Sequence, residues 1–146
     1  MLTLEDLGVL RSAVLQDDGS VVVTITPTYS GCPAMATMRD DLVHRLADHG
    51  LRAEVRVSLT PAWSSDWITP RGRRLLLEHG ISPPLPAPAA RSGPVPISLQ
   101  PTPRALSCPR CASRTVELTS EFGSTACRAM YRCAACLEPF EHVKEI

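Results

Sequence analysis

Two pairs of cysteines near the C-terminus have the spacing of metal ligands. Cys108-Pro-Arg-Cys111 is followed, after 21 intervening residues, by Cys133-Ala-Ala-Cys136. Each pair forms a short turn that directs two thiolates at one centre, and two such turns supply four soft ligands in a tetrahedron. The spacing is close to that of a zinc ribbon, so we predict that these four residues bind a structural zinc ion. The alternatives are iron, which rubredoxin-like sites hold with the same four thiolates, and four unligated thiols.

The two remaining cysteines are isolated. Cys32 directly precedes Pro33 at the start of a predicted helix, where unpaired backbone N–H groups and the helix dipole favour a thiolate. On position alone, a small buried hydrophobic residue is the common interpretation of a lone cysteine, and a reactive thiol is the alternative. Cys127 and Cys133 lie an even number of positions apart, so in one strand their side chains would lie on the same face. Cys127 could therefore contact the metal ligands without binding the metal itself. A buried structural cysteine is the favoured interpretation at that position.

Conventional catalytic motifs are absent from the sequence. It contains no nucleophile elbow, Walker loop, HExxH helix or Rossmann fingerprint. No catalytic residue is assigned, and an independent enzyme has little support.

The elements that carry Cys32 follow from hydrophobic periodicity. Asp17-Asp18-Gly19 separates residues 10–15 from the β-branched run 21–26, which predicts two strands joined by a tight turn. An apolar stripe at spacings of three and four predicts the helix that begins at Pro33 and ends at Gly50. That stripe consists of Met35, Met38, Leu42 and Leu46.

Further elements follow on both sides of the proline-rich stretch. Alternation over residues 53–58 predicts a third strand, and Thr69 with Pro70 predicts the start of a short helix that ends near Gly80. After the first CxxC pair, residues 115–119 and 126–132 read as the two strands of a hairpin around Gly123. These elements predict an α/β (α+β) fold: a small sandwich followed by a second, small zinc-ribbon domain.

The prolines separate the two predicted domains. Eight of the 14 prolines fall between Pro83 and Pro103, a composition that favours extended chain without a core. We predict a domain over residues 1–80, a proline-rich linker over 81–103 and the ribbon over 104–146. A proline-rich peptide ligand is the alternative interpretation of the linker.

Charge and apolar pattern restrict the class of partner. Fifteen basic residues balance fifteen acidic ones, and residues 104–146 carry six Arg and Lys against five Glu, so a nucleic-acid binder is not expected. No run approaches the ~20 apolar residues of a membrane span, and no signal-peptide pattern is present. We expect a cytoplasmic protein whose partners are other proteins and a metal. In that compartment the cysteines stay reduced.

Two stretches resemble a known family. Asp6-Leu-Gly-Val-Leu-Arg11, with Val23-Thr-Ile-Thr-Pro-Thr-Tyr-Ser-Gly-Cys-Pro-Ala-Met35, resembles the metal-sulfur cluster biosynthesis family, a small iron-sulfur assembly domain. In that family a cysteine opens the helix after such a strand, and the resemblance places the reactive cysteine at Cys32. An acidic Asp-Pro-Glu segment usually precedes the Asp-Leu-Gly stretch, whereas this chain starts at Met1-Leu-Thr-Leu-Glu5.

Further residues resemble a narrower group. Trp63-Ser-Ser-Asp-Trp67, Gly72-Arg-Arg74, Gly80-Ile-Ser-Pro-Pro84 and the tail from Ser120 to Phe140 are similar to the PaaD (PaaJ) component of the bacterial phenylacetyl-CoA epoxidase system. In that system a multicomponent di-iron oxygenase epoxidises the ring of phenylacetyl-CoA. The resemblance implies an accessory factor that helps to assemble an iron-sulfur or iron centre, with transient iron or a cluster at Cys32. It also implies that the reductase component is the partner, and a homodimer is an option. A scaffolding subunit of the oxygenase complex is the alternative.

Overall fold

The computed structural model describes residues 1–85 and 105–146. The described chain divides into two compact units, Met1–Leu75 with Ile146 and Leu76–Glu145. Most of the predicted linker, residues 86–103, lies outside the described residues. The domain limits drawn from the sequence therefore stay predictions.

Unit 1 is a two-layer α+β structure. Its elements are β1 (Leu10–Leu15), β2 (Ser20–Ile25), α1 (Met35–Asp48), β3 (Arg52–Val57), a 3₁₀ turn (Ser65–Trp67) and α2 (Pro70–Glu78), which ends in unit 2. The sheet order is β1-β2-β3, with β1 antiparallel and β3 parallel to β2. The three predicted strands, the tight turn and the α2 start at Pro70 are confirmed.

The core of unit 1 lies between β2 and α1. Val21, Val23 and Ile25 alternate along β2 and are buried because successive side chains of a strand point to opposite faces. They pack against the apolar stripe of α1, which is half-buried along its length. The predicted stripe is therefore confirmed as the face that holds α1, and with it the Cys32 turn, on the sheet.

The predicted start of α1 at Pro33 is wrong by two residues. The helix begins at Met35 with Ala34 as N-cap, and Cys32 lies in the turn before it. That turn is closed by Cys32 N–H donating to the Tyr29 carbonyl at 3.2 Å and by Met35 N–H donating to the Cys32 carbonyl at 3.3 Å. Proline disfavours helical geometry at the residue that precedes it, so Cys32 stays outside the helix.

Asp6 fixes the N-terminal segment to the start of α2. One of its carboxylate oxygens accepts hydrogen bonds from Thr3 N–H at 3.0 Å and Thr3 Oγ1 at 2.7 Å and pairs with Arg71. The other accepts from Thr69 Oγ1 at 3.2 Å. Thr69 in turn caps α2 through Gly72 N–H at 2.9 Å. The Thr3 side chain, the Thr3 backbone and Arg71 lower the pKa of Asp6 to about 2.

Asp6→Asn should therefore destabilise unit 1 in a pH-dependent way. The pKa of Asp6 is lowered by folding, so its ionised form stabilises the native state above about pH 4, and this contribution is lost as the pH falls towards 2. We expect the stability difference between wild type and variant to be largest near neutral pH and to shrink below pH 4. Both tryptophans lie in unit 1, so urea unfolding followed by tryptophan fluorescence measures it.

The control for this prediction is Asp17→Asn, at an exposed turn residue. A stability difference for Asp6→Asn that stays constant from pH 7 to pH 2.5 would contradict the assigned role of the carboxylate.

Unit 2 is built on a four-stranded sheet. Its strands are β4 (Ile81–Ser82), β5 (Val116–Ser120), β6 (Arg128–Cys133) and β7 (Pro139–Val143), in the order β4-β7-β6-β5. The predicted hairpin corresponds to β5 and β6, while β4 and β7 were not predicted. β4 lies at the start of the predicted linker and pairs in parallel with β7.

The core of unit 2 is small and includes two of the cysteines. Cys108 and Cys133 pack there with Leu106, Ala129, Tyr131 and Phe140. The Tyr131 and Phe140 rings stack with centroids 5.9 Å apart. His142 is fully buried, with Nδ1 3.1 Å from Ser82 Oγ and Nε2 3.1 Å from Glu145 Oε1. This network holds β4 against β7.

Candidate metal centre

The structure brings the four predicted metal ligands together. The sulfur atoms of Cys108, Cys111, Cys133 and Cys136 all lie within 4.8 Å of one another. Cys108 Sγ is 3.7 Å from Cys136 Sγ, and Cys111 Sγ is 3.5 Å from Cys133 Sγ. A tetrahedron with Zn–S bonds of about 2.3 Å has S···S edges of about 3.8 Å. The donor set therefore fits a closed four-thiolate site of the structural kind.

Two equivalent turns position these thiols. In the first turn Arg110 N–H donates to Cys108 Sγ at 3.4 Å, and in the second Cys136 N–H donates to Cys133 Sγ at 3.5 Å. The turns are joined where Ala134 N–H donates to the Thr115 carbonyl at 2.8 Å. The residue that follows the second cysteine of each pair has a left-handed backbone conformation, with φ of 60° at Ala112 and 64° at Leu137. This backbone reversal turns both sulfurs of each pair towards one centre.

The electrostatics of the four thiols favour a bound cation. The backbone N–H groups of Cys136 and Ala135 point at Cys133 and lower its pKa to about 6. At Cys136 the Glu138 N–H favours the thiolate, but burial and the other three sulfurs together outweigh it and raise the pKa to about 12. Without a cation the four sulfurs cannot all ionise. A bound divalent ion offsets the repulsion between neighbouring thiolates. Because protons compete with the ion for the sulfurs, metal affinity falls as the pH falls.

Cys32 is not a member of this cluster and lies in the turn between β2 and α1 of unit 1. Its side chain is half-buried. Within residues 1–85 and 105–146, the ribbon cysteines are the only group of three or more His, Cys, Asp or Glu side chains close enough to share a metal ion.

Cys127 does not contact the predicted ligands, and that expectation from strand parity is corrected. It precedes β6, so the six residues of that strand separate it from the cluster by about 20 Å at strand spacing. Its Sγ lies 3.1 Å from Thr125 Oγ1. The parity argument holds for Ala129, Tyr131 and Cys133, which are all buried, but the strand does not extend back to residue 127.

Sequence reasoning missed the roles of Ala112 and Leu137. The available signal was their position, since each directly follows the second cysteine of a CxxC pair, where the chain must reverse. Glycine usually occupies such left-handed positions, so alanine and leucine gave no compositional sign of the turn.

Both units match known protein families. Residues 2–59 match the model of an iron-sulfur cluster assembly protein, and residues 92–144 match the PaaD zinc beta ribbon domain. The fold and the four-cysteine centre thus define a class: an iron-sulfur-assembly-type α+β domain joined to a zinc ribbon that binds a structural metal. The expected fold class is confirmed. In the described part of the chain, no helix has both the length and the apolar character that crossing a bilayer requires.

A curated relative narrows the class to one family. The chain is 43% identical over 145 residues to a subunit of the "Putative 1,2-phenylacetyl-CoA epoxidase" of Escherichia coli (strain K12), covering 99% of this chain and 82% of that protein. The chain therefore belongs to the PaaD family of phenylacetyl-CoA epoxidase subunits. A crystal structure of a DUF59 domain of unknown function from Bacillus anthracis aligns with a TM-score of 0.47 at 24% identity, covering 50% of this chain and 72% of that one.

Proposed function

We propose that the protein is an accessory maturation factor of the phenylacetyl-CoA epoxidase system in aerobic phenylacetate degradation. In this role it assists the assembly of an iron-sulfur or iron centre of that multicomponent oxygenase and is not itself catalytic. The assembly-domain match includes Cys32, and the relative is described as an epoxidase subunit. The client proposed here is the reductase component.

The observation that carries the proposal is the setting of the Cys32 thiol. It lies in the turn that leads into α1, and this helix has no side-chain cap and no acidic residue in its first turn. The positive end of the helix dipole is therefore not offset there, which favours a bound anionic cluster beside Cys32. A half-buried thiol at such a position can be reached by a partner protein.

The lack of neighbouring ligands in the described residues gives this contact a transient character. Cys32 would supply one thiolate, and the client would supply the others. Cys32 then holds the iron or cluster only while both proteins are in contact, as a factor that hands over its cargo requires. The metal in the ribbon is proposed to be a structural zinc ion around which unit 2 folds, and the surface of unit 2 offers a docking face.

We propose that the protein acts in the cytoplasm, a reducing compartment in which its six free cysteines would not form disulfides. Its partners are proteins of the epoxidase system, and neither nucleic acid nor a membrane is included. A homodimer is compatible with this role.

Cys32→Ser should lower the iron-sulfur content of the reductase while leaving the protein folded. A serine hydroxyl is too weak a ligand to replace a thiolate for iron. We expect at least a several-fold loss of cluster absorbance and iron in reductase purified from a strain that carries the variant. Tryptophan fluorescence unfolding of the variant itself should match wild type.

Cys127→Ser is the matched control, because it removes the other cysteine outside the four-thiol cluster. Reductase with normal cluster content in the Cys32→Ser strain would overturn the assembly role of Cys32.

The second candidate function is a non-catalytic scaffolding role, which the description of the relative as a subunit of an epoxidase favours. A scaffold copurifies with the catalytic subunits at fixed stoichiometry, and Cys32→Ser leaves that association and the activity intact. A maturation factor associates transiently and below stoichiometry. Affinity purification of the tagged protein from phenylacetate-grown cells separates the two.

A further inference from the structure

We propose that Cys111 and Cys136 form a ligand-exchange edge of the ribbon site. At this edge, a thiolate from a second molecule replaces one of them while Cys108 and Cys133 keep the ion. The ligand class is a soft sulfur donor, carried either by a free thiol or by a cysteine of a partner protein. This inference concerns unit 2 alone and does not depend on the role of Cys32.

The first observation is that the four thiols differ in burial. Cys108 and Cys133 are 2% and 0% exposed and belong to the core, beside Ala129 and Phe140. Cys111 and Cys136 lie outside that core, and their side chains reach the solvent. An incoming ligand can approach the centre only where the sulfurs are open to solvent. The first cysteine of each pair is therefore an anchor, and the second is replaceable.

The second observation is backbone strain directly after each replaceable cysteine. Ala112 and Leu137 are the non-glycine residues with positive φ among those described, and L-residues adopt this region at a cost. Leu137 is 60% exposed, so burial does not offset the strain. Such strain persists at functional sites when the surrounding structure enforces it. Here each strained residue directly follows a replaceable cysteine, so release of that cysteine frees the strained backbone to relax.

A positive charge beside Cys136 favours an anionic ligand. Arg132 is exposed, and its Nε donates to the Leu137 carbonyl at 3.3 Å. Its guanidinium makes no ion pair with any residue that the structure describes, whereas Arg128 on the same strand pairs with Glu141. This guanidinium is thus available to pair with an incoming anionic ligand at short range.

The exchange is balanced in atoms and electrons. The incoming thiol loses its proton to water and forms one metal–sulfur bond, while Cys136 or Cys111 gives up one such bond. The displaced cysteine thiolate takes a proton from water. The ion keeps four sulfur ligands and its oxidation state, so neither an oxidant nor a reductant takes part.

Four single serine variants of the full chain test the proposal, each loaded with one equivalent of Co²⁺. For Cys111→Ser and Cys136→Ser we expect retained cobalt, with sulfur-to-cobalt absorbance reduced to about three-quarters because three thiolates remain. Glutathione should then restore the lost absorbance. For the anchor variants Cys108→Ser and Cys133→Ser we expect cobalt affinity to fall by about 100-fold or more, with no recovery on adding glutathione.

A second arm identifies the source of the thiolate. A folded protein with one exposed cysteine replaces glutathione at the same thiol concentration. If both probes restore the sulfur-to-cobalt absorbance, the edge accepts protein cysteines as well as free thiols. If glutathione alone restores it, the edge accepts only free thiols. Equal loss of cobalt at all four positions, or no recovery by either thiol in the outer variants, would overturn the proposal.

Discussion

Cys133→Ser is expected to abolish the cooperative unfolding transition of unit 2 and to leave unit 1 folded. Cys133 is fully buried, and its sulfur is one of the four that lie within 4.8 Å of one another. Serine removes a thiolate and leaves a hydroxyl in an apolar core. We expect the same loss when a strong chelator removes the metal from the wild-type protein.

The size of this effect follows from the free energy of metal binding. Structural zinc contributes about 10–16 kcal/mol in small zinc domains at neutral pH, which matches or exceeds the whole stability of a typical domain of about 5–15 kcal/mol. The core of unit 2 holds few large side chains, among them Tyr131 and Phe140. Domains with so little apolar burial depend on a metal or a disulfide, and all six cysteines are free.

Two probes separate the units in this experiment. Tryptophan fluorescence reports on unit 1, since Trp63 and Trp67 both lie there, and hydrogen exchange of the backbone amides of β6 and β7 reports on unit 2. Cys127→Ser, with the same chemical change outside the cluster, should behave as wild type. A Cys133→Ser protein that binds metal stoichiometrically and melts cooperatively in unit 2 would refute the structural role of the metal.

Gly72→Ala is expected to destabilise unit 1 by a net amount of about 1–2 kcal/mol. A Cβ at this position would lie 2.3 Å from the Asp6 carbonyl oxygen and 3.0 Å from the Asp6 carbonyl carbon, so backbone must shift. Overpacking of this kind costs about 1–3 kcal/mol and sometimes more. The shift would also strain the Asp6–Thr69 hydrogen bonds. This cost outweighs the gain of about 1 kcal/mol for alanine over glycine in a helix.

Gly31→Ala is the matched control, because its added Cβ would meet only the Tyr29 ring at an ordinary 3.7 Å. Urea unfolding followed by tryptophan fluorescence should show a lowered midpoint for Gly72→Ala and a near-unchanged midpoint for Gly31→Ala. Equal midpoints for Gly72→Ala and wild type would mean that α2 does not lie against the Asp6 segment in solution.

The features that could be predicted from the sequence depend on local pattern. The Met35, Met38, Leu42 and Leu46 stripe identified the buried face of α1, because a helix of 3.6 residues per turn admits few other interpretations. Likewise, the spacing of the two CxxC pairs was enough to bring four thiols together, since each pair forms a self-contained turn. In both cases the information lies within a few residues of chain.

The features that were missed depend on distant partners or on boundaries. β4 has two residues and is stabilised by its parallel pairing with β7, some 60 residues later, so its own sequence carries little strand signal. Cys133 is less exposed than Cys136 because it packs with Ala129 and Phe140. The spacing of the cysteines does not predict this difference in exposure. The start of α1 depended on Cys32 preceding a proline, which moves the boundary along the chain.

The parallel pairing of β4 with β7 has a consequence for how this domain could be transferred between proteins. A gene fragment that starts after the proline-rich stretch carries all four cysteines but leaves β4 behind. The transplanted fragment would keep the ligand set and lose the strand that covers one edge of β7, together with the Ser82 partner of His142. An exposed β-edge is a template for association with other chains. A break at the prolines would thus leave a metal-binding but aggregation-prone fragment, whereas a break before unit 2 would keep β4 with β7.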